Sequence, residues 1–236
     1  MRIGRRIAVV IPAQNEERAI GRVLADIPSW VDRIVVADNA STDTTATIAT
    51  ARGCRVVKVE KRMIAAARNG GAAIAEGEVL CFIDADSRIH PDTFNAIEKL
   101  LSRDNVIVGA TGVKPDRWSA GIICTWLMAV PMTYLMGVDA GVVFCRRQDF
   151  EAVGGYDEAL AFAEDIRLLA DLKRLGRARG QRFARAQNAK AITSSRKFDK
   201  HGDWHFLLMP LRIGFWLLFD KQRMRRETRA YWYEDR

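Results

Sequence analysis

Short apolar runs alternate with segments of helical periodicity over the first 111 residues, and this alternation constrains the fold more than any other feature. Residues 7–11 are continuously apolar and stop at Pro12, which is typical of a strand buried on both faces. Residues 16–27 then place apolar side chains at helical spacing. Strands that alternate with helices predict an α/β fold, in which helices flank a mostly parallel sheet with right-handed crossovers.

The same alternation continues to residue 110 and resumes later in the chain. We predict strands over residues 7–11, 34–37, 56–59, 79–83, 106–110 and 142–145, and helices over residues 16–27, 41–51, 65–75, 91–101 and 163–175. Pro91 is predicted as the first residue of its helix, and Gly176 as the end of the last one. The chain has 236 residues, which is enough for one α/β domain with a sizeable core.

Polar clusters directly follow three of the predicted strands. They are Pro12-Ala13, Asp38-Asn39 and Asp84-Ala85-Asp86. Ligands of open parallel sheets bind beyond the carboxyl ends of the strands. We therefore expect the three clusters to meet at one rim of the sheet and to form a functional site there.

Asp84-Ala85-Asp86 is the strongest candidate for a metal site. Two carboxylates at positions i and i+2 after a strand end can face one cation, and oxygen ligands suit Mg²⁺ or Mn²⁺. The small side chain of Ala85 lets a ligand approach the backbone. The pattern by itself also describes a polar turn that caps a helix. The apolar strand before it and the neighbouring clusters favour the metal.

The first two clusters carry candidate nucleotide-binding residues. Pro12 stops the strand, Ala13 leaves room for a flat base, and Glu16 is near enough in sequence to bind a ribose hydroxyl. Asp38 can accept hydrogen bonds from a base or a sugar hydroxyl. The structural alternatives are an acidic first helical turn at Glu16, which the helix dipole favours, and helix capping by the residues after Asp38.

Basic residues at two places in the chain suit phosphate groups. Arg68 can pair with a diphosphate in a bidentate way, and Arg196 with Lys197 can hold leaving phosphates. Solvent exposure is the alternative for all three side chains. His201 is a further candidate metal ligand if it lies near the phosphates, although a lone histidine is more often structural.

Two acids, Glu164 and Asp165, open the helix that we predict over residues 163–175. A carboxylate at this position can act as the general base that takes a proton from a hydroxyl as the hydroxyl attacks an anomeric carbon. The helix dipole also favours acids in a first turn, so a purely structural role is the alternative.

Two apolar segments and a basic C-terminus indicate a membrane surface. Residues 118–138 contain no charged residue and are long enough to cross a bilayer, whereas residues 204–219 are interrupted by Pro210 and Arg212. A crossing at 118–138 would separate the metal motif from Asp165, so we expect a hairpin there, buried in the core or dipping into the membrane near the acceptor site. The basic run over residues 221–226 and a net charge of +8 favour an anionic surface. Packing against the sheet and an oligomer interface are the alternatives.

Composition and charge argue against several other classes of protein. Hydrophobic residues make up 49% of the chain and charged residues 28%, which is typical of globular proteins. The N-terminus has neither the long apolar region nor the cleavage site of a secretory signal. The four cysteines lack metal-binding spacing and favour a reducing compartment. The positive charge would suit nucleic acid, but no recognition motif is present, so we expect no nucleic-acid partner.

Several stretches of the chain, taken in order, resemble family 2 glycosyltransferases. They are VVIPAQNEE, IVVADNASTDTT, AAARNGGAAIAEGEVLCFIDADS, GVVFCRRQDFEAVGGYDE and AEDIRLLADLKRLG, and they cover most of residues 7–176. The resemblance implies a GT-A fold, which is a Rossmann-like sheet flanked by helices. It also implies a metal-dependent, inverting transfer of a sugar, with a hexose expected, from a UDP- or GDP-linked donor to an acceptor hydroxyl.

The resemblance assigns a role to each matching position. Nucleoside contacts fall on Pro12, Ala13, Glu16 and Asp38; positions near the nucleotide are Arg68, Asp84 and Ala85; and the main ligand of Mg²⁺ or Mn²⁺ is Asp86. Asp165 matches the catalytic base, and Glu164 lies nearer the acceptor. The segment Ser195-Arg196-Lys197 resembles a Ser-x-Arg-Arg-like element of the family.

The chain departs from the family pattern at two points. Some relatives have a glutamine two residues after the second aspartate of the metal motif, and Arg88 stands there instead, so the resemblance assigns no third metal ligand at that position. The Gln-x-x-Arg-Trp motif of processive members is absent from the sequence, so we do not expect polymer synthesis.

We expect a glycosyltransferase domain over residues 1–200, with a nucleotide-sugar half at about 1–111 and an acceptor half at about 112–200. Residues 201–236 are predicted to form an apolar and basic helical appendage that associates with a membrane or oligomerises. The expected location is cytoplasmic and peripheral, on the inner face of the membrane, with a lipid-linked or otherwise membrane-bound acceptor.

Two other functions remain open. A sugar-phosphate nucleotidyltransferase would share the α/β fold and the metal, but it would need an early glycine-rich loop with arginine and lysine, which residues 11–17 lack. A non-catalytic scaffold that binds a nucleotide would not need Asp86 and Asp165 together, and both are present.

Overall fold

The computed structural model describes residues 4–31, 33–160 and 163–209. Its strands are β1 (Ile7–Ala13), β2 (Arg33–Asp38), β3 (Arg55–Lys58), β4 (Val79–Phe82), β5 (Val106–Ala110), β6 (Val113–Pro115), β7 (Val143–Arg146), β8 (Arg182–Arg185) and β9 (Ala191–Thr193). Within these residues, one sheet of seven strands has the order β3-β2-β1-β4-β7-β5-β8, and β6 pairs with β9 in a second sheet.

Helices connect most of the strands. They are α1 (Ile20–Asp26), α2 (Thr45–Ala51), α3 (Ile64–Ile74), α4 (Thr93–Leu101), α5 (Ala120–Met136), α6 (Arg147–Ala152), α7 (Glu164–Ala178) and α8 (Arg196–His201). The alternation of strands and helices that the first 111 residues predict is therefore present.

Strand β1 lies in the middle of the parallel part of the large sheet, with β2 on one side and β4 on the other. Strand β3 continues the parallel order beyond β2, and β8 is parallel to β5. Strand β7 lies between β4 and β5 and is antiparallel to both. The predicted mostly parallel sheet is confirmed, and the carboxyl ends of β1, β2 and β4 share one edge.

Apolar side chains cover both faces of this sheet, as continuously apolar strands predict. In β1, the odd-numbered residues from Ile7 to Ile11 pack into one core cluster, whereas Ala8 and Val10 pack into the other. Helix α3 approaches β1 closely at Gly71, where an added Cβ atom would lie 2.5 Å from Cγ1 of Val10. A glycine is needed there because any side chain would push the helix away from the sheet.

Several helix ends differ from the predictions. Helix α1 begins at Ile20 rather than at Glu16, because the preceding residues form a turn in which the amide of Ala19 donates to the carbonyl of Glu16 at 2.9 Å. Helices α2 and α4 begin at Thr45 and Thr93, later than predicted. The residues before α2 have other partners, because the hydroxyl of Ser41 and the backbone amide of Thr42 bind Asn15 in the loop that follows β1.

Helix α7 continues past its predicted end, and three short strands were not predicted. The helix runs to Ala178 because Gly176 is buried inside it, where an added Cβ atom would lie 2.6 Å from Cγ2 of Ile107. The strands that were not predicted, β6, β8 and β9, have three or four residues each.

The chain divides into two compact units. The first comprises Met1–Lys114 and Val138–Thr193, and it contains the seven-stranded sheet. The second comprises Pro115–Gly137 and the described residues from Ser194 onward. The predicted boundary at residue 200 between a catalytic domain and a C-terminal segment stays a prediction.

The prediction of a hairpin over residues 118–138 is wrong, because most of this segment forms the single helix α5. The hydroxyl of Ser119 caps its start by accepting a hydrogen bond from the amide of Ile122, and Gly137 ends it in the left-handed conformation. Pro131 lies inside the helix. A proline removes only one backbone donor, so the other hydrogen bonds of the helix continue on both sides of it.

Other contacts within the second unit hold α8 near the start of α5. Arg117 forms ion pairs with Asp199 and Asp203, with N–O distances of 2.6 Å and 2.7 Å. The ring of Trp126 packs against the ring of Phe198, with their centroids 6.5 Å apart.

Within residues 4–31, 33–160 and 163–209, no helix has both the length and the apolar character that a membrane crossing requires. Most of the predicted apolar and basic appendage over residues 201–236, including the basic run over 221–226, lies outside the described residues.

Candidate active site

Two loops at the carboxyl edge of the sheet are joined side by side. The amide of Asn15 donates to the hydroxyl of Ser41 at 3.1 Å, and the amide of Thr42 donates to the side-chain oxygen of Asn15 at 2.9 Å. Asn15 has a φ of 53° and therefore lies in the left-handed region, which asparagine tolerates better than most residues. These bonds give the rim beside β1 and β2 a defined shape.

The predicted nucleoside residues lie together on this rim. The pairing of β1 with β2 places Ala13 opposite Asp38. The carboxylate of Asp38 is buried and accepts a hydrogen bond from the amide of Ser41 at 3.1 Å. Glu16 is also buried, and its backbone amide donates to the hydroxyl of Thr45 at 2.8 Å. The arrangement brings Pro12, Ala13, Glu16 and Asp38 to one edge, and their contacts with a nucleoside stay a prediction.

Asp84-Ala85-Asp86 forms a turn just beyond β4, closed by a hydrogen bond from the amide of Ser87 to the carbonyl of Asp84 at 3.1 Å. The side chain of Asp84 is 47% exposed and Asp86 is half-buried, whereas Ala85 is buried. Both carboxylates therefore reach the surface at the same edge as the nucleoside residues.

The donor set of this turn fits a hard divalent cation only in part. Among the described residues, no group of three or more histidine, cysteine, aspartate or glutamate side chains is arranged to hold a metal. Two carboxylates are nevertheless sufficient for Mg²⁺ or Mn²⁺ when phosphate oxygens and water complete the shell. Asp84 and Asp86 are thus the residues that would hold such an ion together with a diphosphate.

Arg68 of α3 joins the metal motif to the start of α7. Its Nη2 donates to Asp84 at 2.9 Å, and its Nη1 donates to Glu164 at 2.8 Å and to Asp165 at 2.9 Å. The two acids lie in the first turn of α7, as predicted. One guanidinium thus brings together carboxylates that are about 80 residues apart in the sequence, a separation that loop closure between packed elements readily permits.

Tyr156 and Asn69 also belong to this site, although neither is among the predicted site residues. The guanidinium carbon of Arg68 lies 5.0 Å from the centre of the buried ring of Tyr156. The side chain of Asn69 holds the turn, since it donates to the carbonyl of Tyr156 and accepts from its amide, both at 2.9 Å. Gly155 has a φ of 73°, a conformation that favours glycine. The sequence Gly-Gly-Tyr-Asp at residues 154–157 was the available signal. It predicts a turn, and the large ring of a tyrosine in such a turn packs against neighbouring residues.

Asp165 is the better placed of the two acids to act as a base. Its side chain is 39% exposed, whereas the side chain of Glu164 is 9% exposed. Burial by the surrounding atoms raises the pKa of Asp165 to about 6, with Arg68 acting in the opposite direction. A carboxylate with a pKa near the working pH is suited to accept a proton and remains ionised in neutral solution.

Arg88 has a structural partner, and the three remaining candidate residues belong to α8. Arg88 forms a bidentate ion pair with Asp26. Arg196 begins α8 and His201 ends it, and Lys197 is the second residue of the same helix. These three belong to the second unit, and their roles toward phosphate or metal stay predictions.

Comparison with known proteins agrees with the fold and the motifs. Residues 8–146, more than half of the chain, match the profile of glycosyl transferase family 2. An uncharacterized glycosyltransferase of Mycobacterium bovis is 40% identical over 83 residues, which are 35% of this chain and 38% of that protein. The chain thus matches well under two thirds of the length of this relative.

Solved structures extend the similarity over most of the chain. Glucosyl-3-phosphoglycerate synthase from Mycobacterium tuberculosis, in complex with Mn²⁺, UDP and phosphoglyceric acid, is 25% identical with a TM-score of 0.64, covering 85% of this chain and 75% of that one. The mannosyltransferase PcManGT from Pyrobaculum calidifontis, in complex with GDP-Man and Mn²⁺, is 22% identical with a TM-score of 0.60, covering 77% and 54%. From its sheet, its motifs and these matches, the chain belongs to glycosyl transferase family 2 and has the GT-A fold.

Proposed function

We propose that the protein is a metal-dependent, inverting glycosyltransferase that moves a hexose from a UDP- or GDP-linked donor to an acceptor hydroxyl. The observation that carries this proposal is the ion-pair cluster at Arg68, which holds Asp84 of the metal motif and Asp165 on one guanidinium. A donor bound at the metal motif would therefore present its anomeric carbon close to the carboxylate that can activate an acceptor.

Most of the predicted site residues have a role in this reaction. Asp38, Glu16, Ala13 and Pro12 bind the nucleoside, and Arg196 with Lys197 binds phosphate. A divalent cation at Asp84 and Asp86, when bound, supplies positive charge that stabilises the leaving diphosphate. Asp165 takes the proton of the acceptor hydroxyl while the hydroxyl oxygen forms its bond to the anomeric carbon. The bond from that carbon to the phosphate oxygen breaks in the same step, which inverts the configuration.

A thermal-shift panel tests the donor half of the proposal. Wild-type protein is heated with UDP, GDP, UDP-glucose or GDP-mannose, in Mn²⁺, in Mg²⁺ or in EDTA. A ligand that binds only the native state raises the Tm, so at least one nucleotide should raise it in the presence of metal but not in EDTA. ADP serves as the matched control for the nucleoside. No shift with any uridine or guanosine nucleotide would contradict the proposal.

Release of nucleoside diphosphate from the donor that binds separates an enzyme from a non-catalytic scaffold. An enzyme turns the donor over when an acceptor is added, whereas a scaffold binds without turnover. Release of pyrophosphate from a nucleoside triphosphate and a sugar phosphate would instead identify a nucleotidyltransferase.

The acceptor is proposed to be lipid-linked or membrane-bound, which places the protein on the cytoplasmic face of a membrane. This proposal is supported by the apolar surface of α5, where Leu127 is 70% exposed and Leu135 is 85% exposed. Other large apolar side chains on α5 are also exposed: Ile123, Met128, Val130, Met132, Tyr134 and Met136. Contiguous exposed apolar surface of this kind marks an interaction site in a soluble domain.

The occupant that we propose for this surface is an anionic lipid bilayer. The same unit carries the exposed Lys200 on α8, and its sequence continues into the basic run over residues 221–226. Basic residues beside apolar side chains are attracted to anionic leaflets, where the apolar side chains enter the boundary between headgroups and acyl chains.

Flotation with vesicles tests this surface. We expect wild-type protein to float with vesicles of phosphatidylcholine and phosphatidylglycerol, and to float less as salt screens the basic residues. The variant Leu127→Glu/Leu135→Glu should stay at the bottom, because two carboxylates on α5 would have to be desolvated. Its matched control is Ala73→Glu/Ala152→Glu, which adds the same charge at exposed positions of the first unit. Wild-type protein that stays at the bottom, or an α5 variant that floats like the control, would contradict the lipid surface.

A soluble phosphorylated acceptor is the second candidate. The observation that favours it is the similarity to glucosyl-3-phosphoglycerate synthase, whose structure contains phosphoglyceric acid. Adding 3-phosphoglycerate and a polyprenyl phosphate in separate turnover assays distinguishes the two acceptors, because only the true acceptor accelerates release of the nucleoside diphosphate.

A further inference from the structure

The guanidinium of Arg68 is buried among carboxylates and not directed at open solvent. The residue is 4% exposed, and its two terminal nitrogens donate to three acids, Asp84, Glu164 and Asp165, at 2.8–2.9 Å. Arginine suits this arrangement because its planar fork offers several donors in fixed directions. Three of the five N–H groups of the guanidinium thus donate to carboxylates, and only 4% of the residue is open to a diphosphate.

The guanidinium of Arg68 supplies the positive charge that the three carboxylates share. Three acids face one buried guanidinium, and carboxylates that are held close together repel one another. Burial alone would lower the pKa of Arg68, but the attraction of Asp165, Asp84 and Glu164 raises it well above its ordinary value. The guanidinium therefore stays charged and keeps attracting all three carboxylates.

The surrounding structure fixes Arg68 itself. Helix α3, which carries it, packs closely on the sheet at Gly71. The ring of Tyr156 lies against one side of the guanidinium, and Asn69 of the same helix holds the turn that carries this ring. A side chain anchored in this way can fix the direction of its partners, because its own movement is restricted.

We propose that Arg68 is a positioning residue: it orients the carboxylate of Asp165 toward the metal motif and does not bind the donor's phosphates. This inference rests on the proposed function. The guanidinium sets the distance between Asp84, at the end of β4, and Asp165, at the start of α7. Misplacement of a reacting group by about 1 Å can cost about a hundredfold in rate, so loss of this contact should affect the chemical step.

The test compares donor affinity with turnover in Arg68→Lys and Arg68→Met. Calorimetry with the nucleoside diphosphate and Mn²⁺ gives the affinity, and release of nucleoside diphosphate at saturating donor gives kcat. We expect Arg68→Met to lose about a hundredfold in kcat while its affinity stays within about twofold of wild type. Arg68→Lys should recover part of the loss, because an ammonium keeps the charge but not the fork.

The matched control is Arg55→Met, which removes an exposed arginine whose ion pair with Glu76 lies at the opposite edge of the sheet. It should behave as wild type in both measurements. Circular dichroism and the Tm report whether each variant folds. Should Arg68→Met not fold, Arg68→Lys alone must show a kcat reduced more than its affinity.

Three results would contradict the inference or the proposed function on which it rests. An affinity that falls as much as kcat or more, in either Arg68 variant, would mean that the arginine binds the donor and would overturn the inference. Unchanged kcat in both variants would overturn it as well. A wild type that binds a donor but never transfers sugar overturns the proposed function, and the role of Arg68 with it, so the wild-type assay tells the two failures apart.

Discussion

Replacing Asp165 by asparagine is expected to slow sugar transfer by roughly a hundredfold or more while the nucleotide still binds. The amide keeps the shape of the side chain but cannot accept the proton of an attacking hydroxyl, and general-base catalysis typically contributes a factor of roughly a hundred or more. Asp165 is exposed enough to meet an acceptor, whereas Glu164 is buried against Arg68. Calorimetry with the nucleoside diphosphate and release of the diphosphate in the presence of acceptor measure the two properties separately.

The pH dependence of transfer checks the same assignment. The base must be ionised to work, and burial raises the pKa of Asp165 to about 6. Turnover should therefore be complete above this pH and should be lost as the pH falls through about 6. The residual activity of Asp165→Asn should lack this acid limb. Glu151→Gln, which changes an exposed acid of α6 paired with Arg147, is the control and should keep both the rate and the limb. A wild-type rate in Asp165→Asn would show that another group acts as the base.

Replacing Asp86 by alanine is expected to remove metal-dependent nucleotide binding. The ion would be held by only two side chains, so the loss of one carboxylate leaves a single protein ligand, and Asp84 is already shared with Arg68. Calorimetry of UDP and GDP with Mn²⁺ should show binding lost or much weakened, and the Tm of the variant should no longer respond to nucleotide.

Asp104→Ala is the control for the metal prediction, because Asp104 is an exposed acid just before β5 and thus at the opposite edge of the sheet. It should bind the nucleotide with wild-type affinity. Unchanged metal-dependent affinity in Asp86→Ala, with a wild type that binds, would remove Asp86 from the metal site. Binding by wild-type protein that persists in EDTA would remove the metal requirement itself.

Hydrophobic periodicity and the residue types at strand ends were sufficient to predict the architecture of the first half of the chain. Apolar runs such as residues 7–11 predict buried strands because few other structures can bury every side chain of a short segment. Parallel strands then place their carboxyl ends together, so Asp38 and the metal motif were expected on one rim, and the structure has both there. The family could be recognised for the same reason, since its motifs are the loops at these strand ends.

Element boundaries were less predictable, because they depend on contacts between segments. The loops after β1 and β2 bind each other through Asn15 and Ser41, which delays the start of both following helices. Gly176 and Pro131 are residue types that usually end a helix, so the sequence predicts helix ends at these positions. Packing against Ile107 keeps the first inside α7, and an otherwise apolar helical segment accommodates the second inside α5.

The sequence by itself determined the mostly parallel sheet, the rim on which the motifs lie and the family to which the chain belongs. The tertiary structure alone decided the surroundings of Arg68, since its three carboxylate partners lie 16, 96 and 97 residues further along the chain. It also decided that Tyr156 belongs to the site and that α5 presents an apolar surface. The physical reason is that periodicity reports which face of an element is buried, whereas the partner of a buried charge is chosen by the packing of distant elements.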